Sequence, residues 1–471
     1  MIRKKILFPF LLSVFSFLVY MGNLRPISSG DNKEAGFVAI NLVTYGTVYL
    51  DQFYKPYLAL QPDPPPDFVS YTQHYRANYG TELGIFLSPI YFLLLKCGGF
   101  NATNIAYNPL DEHFNPRFRR FLFVAEKTSV SVVAAITVGG MFLLLNQIFG
   151  SRKLSLIGSV IYAFFTSHWT ISSQGLWRHS PIELCFVFSL FFLLKFEETK
   201  NIAWLFLSSI AAAPLFPVRP TGLFYLLSMA AYIFMKHRRL FLSYIFLPVV
   251  LSMMYLVFNA AASNSSYLAT SPIWRRTLND VVAGFLGVFF SPSRGFFIYT
   301  PLYVFAFVGI WLVIKKRRLP SDFFRSYLPV AIFTVILSGA TYATGGLRWW
   351  AGWCWGPRFF VDALPALTIY LMVWFRELES YSFNKRLACY GLLFVLAGWS
   401  LFTQVVGAFY YKHVWDSMPV HLSKRVWDWK ENPITVELRT GPDVADLREK
   451  FKRALSIFHL GPQAQTFTRE S

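Results

Sequence analysis

The sequence predicts an all-α polytopic membrane protein with about eleven membrane-spanning helices, and three observations predict it. Of the 471 residues, 55% are hydrophobic and 19% aromatic, while only 15% are charged; a water-soluble chain is roughly 25% charged. Apolar stretches of about 17 to 25 residues recur throughout, the length that crosses a hydrocarbon core of roughly 30 Å. Short basic clusters separate them, as expected where positive charge sets the orientation of loops. Backbone inside lipid must satisfy its own hydrogen bonds, so the stretches are expected to be helices.

The first element follows Arg3-Lys4-Lys5 and runs over 6–24. It is long and no small-residue cleavage site follows it, so it reads as an anchor and not as a cleaved signal peptide. Further spans are expected at 121–148, 154–172, 181–196, 201–215, 221–236, 241–260, 296–314, 326–343, 359–375 and 387–409. The segment from Thr81 to Cys97 is ambiguous. If it does not cross, five basic groups share the N-terminal, cytoplasmic side: Arg152/Lys153, Lys195/Lys200, Lys236/Arg238/Arg239, Lys315 to Arg318, and Arg376/Lys385/Arg386. If it crosses, all five are translocated, against the positive-inside rule. It is therefore expected to be re-entrant or interfacial, with Arg117, Arg119 and Arg120 outside.

This topology predicts one transmembrane domain over 1–409, with a long first outer loop at 25–120 that carries interfacial helices. A small outer tail follows at 410–471. The tail is expected to form an amphipathic helix after Gly441-Pro442-Asp443, with Leu447, Phe451, Leu455 and Phe458 on one face. The inner loops are short and basic. The outer loops, at 173–180, 216–220, 261–295 and 344–358 besides the first, are rich in Trp, Tyr, Pro and Arg, so chemistry is expected on the outer face. The net charge of +19 forms no continuous basic face and no aromatic-basic motif, which argues against nucleic acid as a partner. Cys97, Cys185, Cys354 and Cys389 lack metal-like spacing.

Three constellations carry candidate chemistry. Asp31 opens the first outer loop in Ser28-Ser29-Gly30-Asp31-Asn32-Lys33-Glu34, before the amphipathic stretch 35–42. A carboxylate at the membrane surface can act as a general base or hold a divalent cation; the competing reading is a helix cap. His179 and Glu183 stand in Trp177-Arg178-His179-Ser180-Pro181-Ile182-Glu183. Glu183 lies one turn inside its span, where an unpaired carboxylate is costly. It is either ion-paired to a neighbour or part of a second acidic or imidazole group facing Asp31. Arg219, Arg294, Arg348 and Arg358 sit in Gly/Pro-rich outer turns. They can bind a phosphate head group bidentately or merely snorkel to the interface. Trp350, Trp353 and Trp355 can stack on sugar rings and polyprenyl chains, or serve as interfacial belt residues.

A short cytoplasmic N-terminus, one span, a long outer loop opening on an Asp and a bundle of spans with small inner loops together resemble the GT-C superfamily. Those membrane glycosyltransferases include the protein mannosyltransferase and aminoarabinose transferase groups. Ser291-Pro292-Ser293-Arg294-Gly295, Tyr299-Thr300-Pro301 and Trp350-Ala351-Gly352-Trp353-Cys354-Trp355-Gly356-Pro357-Arg358 also look like segments of bacterial members. The resemblance implies inverting sugar transfer from a polyprenyl-phosphate donor to a glycan, lipid or protein acceptor. Asp31 would be the base, and Arg294 and Arg358 the first choices to hold the leaving phosphate. It implies a multi-pass plasma (inner) membrane protein with its active face periplasmic or extracellular. No second Asp stands after the third span, so a divalent cation is left open. A transporter or lipid flippase is the alternative, and Glu126/Lys127 is the pair that favours it.

Overall fold

The computed structural model describes residues 2–27, 32–53, 68–71, 74–77, 80–97, 116–260, 277–319, 321–342 and 349–443. The described chain is helical apart from one short hairpin and separates into two compact units.

The first unit takes residues 1–20, 27–29 and 130–442. It contains α1 (Ile2–Met21), the C-terminal part of α4 (Pro116–Phe149), α5 (Arg152–Phe164), α6 (His179–Thr199), α7 (Ile202–Ala212), α8 (Leu215–Val218), α9 (Gly222–Lys236) and α10 (Phe241–Ala260). There follow α11 (Leu278–Phe290), α12 (Phe296–Tyr299), α13 (Val304–Lys316), α14 (Leu328–Ala340), α15 (Leu364–Glu377), α16 (Phe383–Phe409), α17 (Leu422–Arg425) and α18 (Pro433–Arg439).

Among the described residues six helices are long and apolar enough to cross a bilayer: Phe118–Phe149, His179–Thr199, Arg238–Asn259, Phe323–Ala340, Arg358–Ser380 and Phe383–Phe409. Their surfaces fit lipid. In Arg238–Asn259 only 11% of the apolar window is buried in protein, and Leu242, Phe246, Val257 and their neighbours face outward. So large an apolar surface belongs in hydrocarbon. Among the described side chains of α1, Pro9, Leu12, Ser16 and Tyr20 are buried, a stripe spaced by three and four. That stripe approaches α4 so closely that a Cβ on Gly139 would lie 2.2 Å from Ser13 Oγ and 2.9 Å from the Pro9 carbonyl oxygen.

Besides the Ala213-Pro214 turn that divides 201–215 into α7 and α8, two expected spans are interrupted. The segment 154–172 stops at Phe164 and resumes as a π-helical turn, His168–Ser172. Thr166 Oγ1 donates to the Tyr162 carbonyl at 2.7 Å and accepts from the His168 N–H at 3.2 Å, drawing backbone groups out of the α ladder. The segment 296–314 breaks at Pro301, which has no N–H to donate. A third difference is α11, which lies inside the expected outer loop 261–295. It starts at a Thr277/Asp280 capping box, and Leu278, Val282, Leu286 and Phe290 form an exposed apolar stripe along it. Its 13 residues extend about 20 Å, short of a full crossing.

Acidic residues tie the helix ends that carry the basic clusters. Glu197 pairs with Lys200 at 2.6 Å, Lys236 at 3.0 Å and His237 at 2.7 Å, joining α6 to α9. Glu377 pairs with Arg318 at 2.8 Å and Lys316 at 3.4 Å, joining α15 to the end of α13. The unit does not close at α16. Residues 410–442 belong to it, and the expected amphipathic tail helix lies beyond the described residues.

The second unit holds residues 21–26 and 30–129, and Asp443. It contains α2 (Lys33–Tyr45), an antiparallel hairpin of β1 (Phe68–Tyr71) and β2 (His74–Ala77), α3 (Thr81–Cys97) and the start of α4. Residues 34–41 of α2 are all buried, where the sequence pattern promised an amphipathic stretch. A Cβ on Gly84 of α3 would meet the Ala35 carbonyl oxygen and Val38 Cβ at 2.6 Å each, so bare backbone lets the two helices touch. Leu83, Leu87, Tyr91 and Leu95 form the buried side of α3, and Ile85, Phe92 and Leu93 its apolar outer side. Glu34, Arg76, Glu126 and Lys127 are buried in this unit, and Arg25 pairs with Asp443 at 3.1 Å.

Candidate functional site

His179 and Glu183 are both fully buried, on one face of α6, and each heads a separate polar network. His179 Nδ1 lies 2.6 Å from Asp362 Oδ1, at the start of the apolar segment Arg358–Ser380. Arg219 Nε donates to Asp362 Oδ2 at 2.7 Å, and so does the Thr221 hydroxyl, also at 2.7 Å. Tyr225 donates to the Asp362 carbonyl at 2.9 Å. Arg219 can reach in because the chain leaves α8 in an extended conformation between Val218 and Pro220. Arg219 and Thr221 both donate to this buried carboxylate and fix it as an anion, so His179 donates from Nδ1. His179 Nε2 has no hydrogen-bond partner among the described residues.

The 3₁₀ helix Arg358–Ala363 carries Arg358 and Asp362 about one turn apart. The Arg358 guanidinium lies 4.2 Å over the Trp177 ring and donates to the Ala351 carbonyl at 3.2 Å. Trp177 is fixed in turn by its Nε1, which donates to the Ile27 carbonyl at 3.3 Å. Segment 177–179 and segment 358–362 are thus cross-braced by a cation–π pair and a His–Asp pair. Beside Arg358 a small cavity opens, walled by Trp349, Trp350, Pro357, Phe359 and Phe360.

Glu183 heads the second network. Its Oε2 lies 2.8 Å from His168 Nδ1 and accepts from Ser172 at 2.5 Å. His168 Nε2 donates to the Ala134 carbonyl at 3.2 Å, and the ring sits 4.3 Å from that of Tyr162. Glu183 is therefore paired with a histidine from the π-helical turn, not with Arg178 or His179.

Arg294 has a different environment from the one its loop suggested. It is 2% exposed, and its donors go to Asp416 at 2.7 Å, to the Trp350 and Gly352 carbonyls at 3.0 Å each, and to its own neighbour Ser293. Tyr411 also donates to Asp416, and both Arg294 and Arg425 lie over the Trp415 ring, at 5.1 and 4.5 Å. This places Arg294 as the anchor of the tryptophan loop, with its donors already engaged. The loop needs that anchor because Ala351 and Gly352 both adopt positive φ, +61° and +67°.

The tryptophans divide. Trp350 and Trp355 are buried, and Trp355 Nε1 donates to the Thr403 carbonyl at 3.2 Å; Trp353 is 46% exposed, with His413 nearby. Glu437 closes the segment after α16 by accepting the Lys412 and Trp415 N–H groups at 3.0 and 3.1 Å. Burial raises the Glu437 carboxyl above its ordinary value, and those two N–H groups hold it back only in part.

Asp31 and Arg348 lie outside the described residues; α2 itself begins after Asn32, whose side chain makes no capping bond. Of the expected groups the structure brings His179, Arg219 and Arg358 together, and it adds Asp362, which sequence reasoning missed. The signal for Asp362 was present: it is an acid inside an apolar segment, and such a residue needs a partner. His168 and Asp416 gave no comparable signal. Among the described residues no three His, Cys, Asp or Glu side chains gather to hold a metal ion. No protein-family model matches the chain, and no curated protein or solved structure is significantly similar to it.

Proposed function

We propose that this chain is an integral membrane glycosyltransferase that moves a sugar from a polyprenyl-phosphate donor to a hydroxyl on a glycan, lipid or protein. In this reading eleven segments cross the membrane: α1, α4, α5 with its π turn, α6, α7–α8, α9, α10, α12–α13, α14, the 3₁₀ turn with α15, and α16. The helices α3 and α11 enter the outer leaflet without crossing. The basic clusters then share the cytoplasmic face. His179, Arg219, Arg358 and Asp362 lie at the outer, periplasmic or extracellular, ends of their helices.

The observation that carries the reading is Arg358, partly exposed and stacked on Trp177 beside the aromatic cavity. A guanidinium offers parallel donors to a phosphate, and aromatic faces beside it are the surfaces on which a sugar ring or an isoprenoid stacks. In the transfer the acceptor oxygen bonds to the anomeric carbon and its proton passes to Asp31. The bond from that carbon to the phosphate oxygen breaks, and its electron pair leaves on the polyprenyl phosphate, which Arg358 stabilises. A divalent cation at Asp31 is the alternative role for that carboxylate.

The test is transfer of labelled sugar from polyprenyl-phosphate donors by membranes carrying wild type, Asp31→Asn or Arg358→Ala at equal protein level. Transfer by wild type that drops by at least a hundredfold in both variants supports the reading. Transfer unchanged in Asp31→Asn removes Asp31 from the chemistry, and absence of transfer from every donor refutes the reading. A transporter is the second reading, favoured by the buried Glu126 and Lys127 on α4. It requires substrate uptake into vesicles that Lys127→Met abolishes.

A further inference from the structure

The His179 imidazole is held with unusual completeness on one side and not at all on the other. Asp362 takes the Nδ1 proton, while Arg219 and Thr221 lock the same carboxylate. This fixes both ring orientation and tautomer, so the lone pair sits on Nε2. One guanidinium and one carboxylate already balance around the ring. Adding a proton at Nε2 would bury a further cation with no carboxylate left to balance it, which is unfavourable. Nε2 is thus an acceptor with no partner among the described residues, on a side chain that is 0% exposed. A buried acceptor left unpaired is costly, and the cost is relieved by any ligand that presents a donor to it.

The neighbours say what else such a ligand carries. Trp177, two residues before His179, lies under Arg358, and Asp362 is four residues after Arg358. Trp177 and Asp362 thus link the Arg358 segment to the His179 segment, and in the proposed arrangement the groups attached to an anion on Arg358 are directed toward His179. We infer that His179 Nε2 accepts a hydrogen bond from a hydroxyl of the donor sugar adjacent to the phosphate, making His179 a specificity-determining residue and Asp362 its positioning residue. The inference rests on the transferase reading and goes beyond it. It states that the donor class is a sugar phosphate with a free hydroxyl near the anomeric centre, and that the site discriminates against deoxy sugars. A polar site built for a hydroxyl rejects the analogue that lacks it far more strongly than an apolar pocket rejects a missing methylene.

The experiment measures binding of citronellyl-phosphate-linked pyranoses, together with their 2-, 3- and 4-monodeoxy analogues, to the detergent-purified full-length protein. Wild type is compared with His179→Phe, which keeps the ring but removes the acceptor. Asp362→Asn, which unfixes the tautomer, is measured alongside. In wild type one deoxy position is expected to weaken binding by at least thirtyfold. In His179→Phe that same ratio is expected to fall below threefold, and in Asp362→Asn to take an intermediate value. The deoxy series on wild type involves no mutation, so a variant that fails to fold does not remove the test. Binding of the parent sugars with no deoxy position mattering by more than threefold overturns the role of His179 and leaves the transferase reading standing. Equal deoxy ratios in wild type and His179→Phe do the same. Binding to none of the phosphate-linked sugars overturns both.

Discussion

Replacing Arg294 with Met tests whether this arginine anchors the fold or holds a donor phosphate. The side chain is 2% exposed, and its charge is matched by Asp416 at 2.7 Å, with carbonyls of the tryptophan loop taking further donors at 3.0 Å. Removing the cation leaves the Asp416 carboxylate buried with Tyr411 but without its guanidinium partner. Breaking a buried pair from one side costs about 3–5 kcal/mol. The reciprocal change, Asp416→Asn, strands Arg294 and is expected to cost a similar amount. Because both changes break one network, their effects are strongly non-additive, with a coupling near the upper end of the roughly 0.5–3 kcal/mol seen for contacting residues. The assay is denaturant unfolding in mixed micelles for wild type, both single variants and the double variant. A phosphate-binding role makes the opposite prediction: stability unchanged, donor KM raised, and no matching effect from Asp416→Asn. An Arg294→Met protein as stable as wild type would refute the anchoring argument.

Three other outcomes are expected. Glu437→Gln removes a carboxyl whose folded-state pKa lies above its ordinary value near 4.5. Its stabilising contribution is complete below that ordinary value and is lost as pH rises through the folded value. The melting temperature of wild type relative to Glu437→Gln is therefore expected to decline with rising pH over that window, and a flat difference counts against the assignment. Gly139→Leu drives a side chain into Ser13 and the Pro9 carbonyl, and is expected to destabilise by about 1–3 kcal/mol while Gly398→Leu, which meets nothing within 4 Å, stays near wild type. Single cysteines at Lys200 and Trp429, both exposed and placed on opposite faces by the proposed topology, should react with an impermeant thiol reagent from opposite sides of intact cells once the native cysteines are replaced. Labelling from the same side refutes that topology.

The helical membrane architecture was legible because apolar length and basic punctuation are local properties, and α4, α6, α10, α15 and α16 fall where those patterns put them. The breaks were less legible. Thr166 looks like any polar residue in a span until its hydroxyl is seen taking the backbone hydrogen bonds that divide α5 from the π turn. Helix α11 hid in an expected loop because 13 residues are too few to register as a crossing. At the site, His179, Arg219 and Arg358 could be picked out as unusual groups in expected outer turns, but the meeting of His179 and Arg219 at Asp362 joins positions up to 183 residues apart. No spacing rule reaches that far. Arg294 illustrates the same limit, since a buried arginine paired across 122 residues reads in sequence just like one waiting for a phosphate.

The acidic ties at Glu197 and Glu377 give the basic clusters two successive roles. In the proposed topology Lys200, Lys236, Lys316 and Arg318 are free cations that fix which way each hairpin turns while the chain is threaded into the bilayer. Once α6 meets α9 and α13 meets α15, the same cations become counter-ions to Glu197 and Glu377. Orientation and assembly are thus written in one set of residues but read at different times. Neutralising Glu197 would leave the threading instructions intact and loosen only the later fastening, so topology and stability should come apart in such a variant.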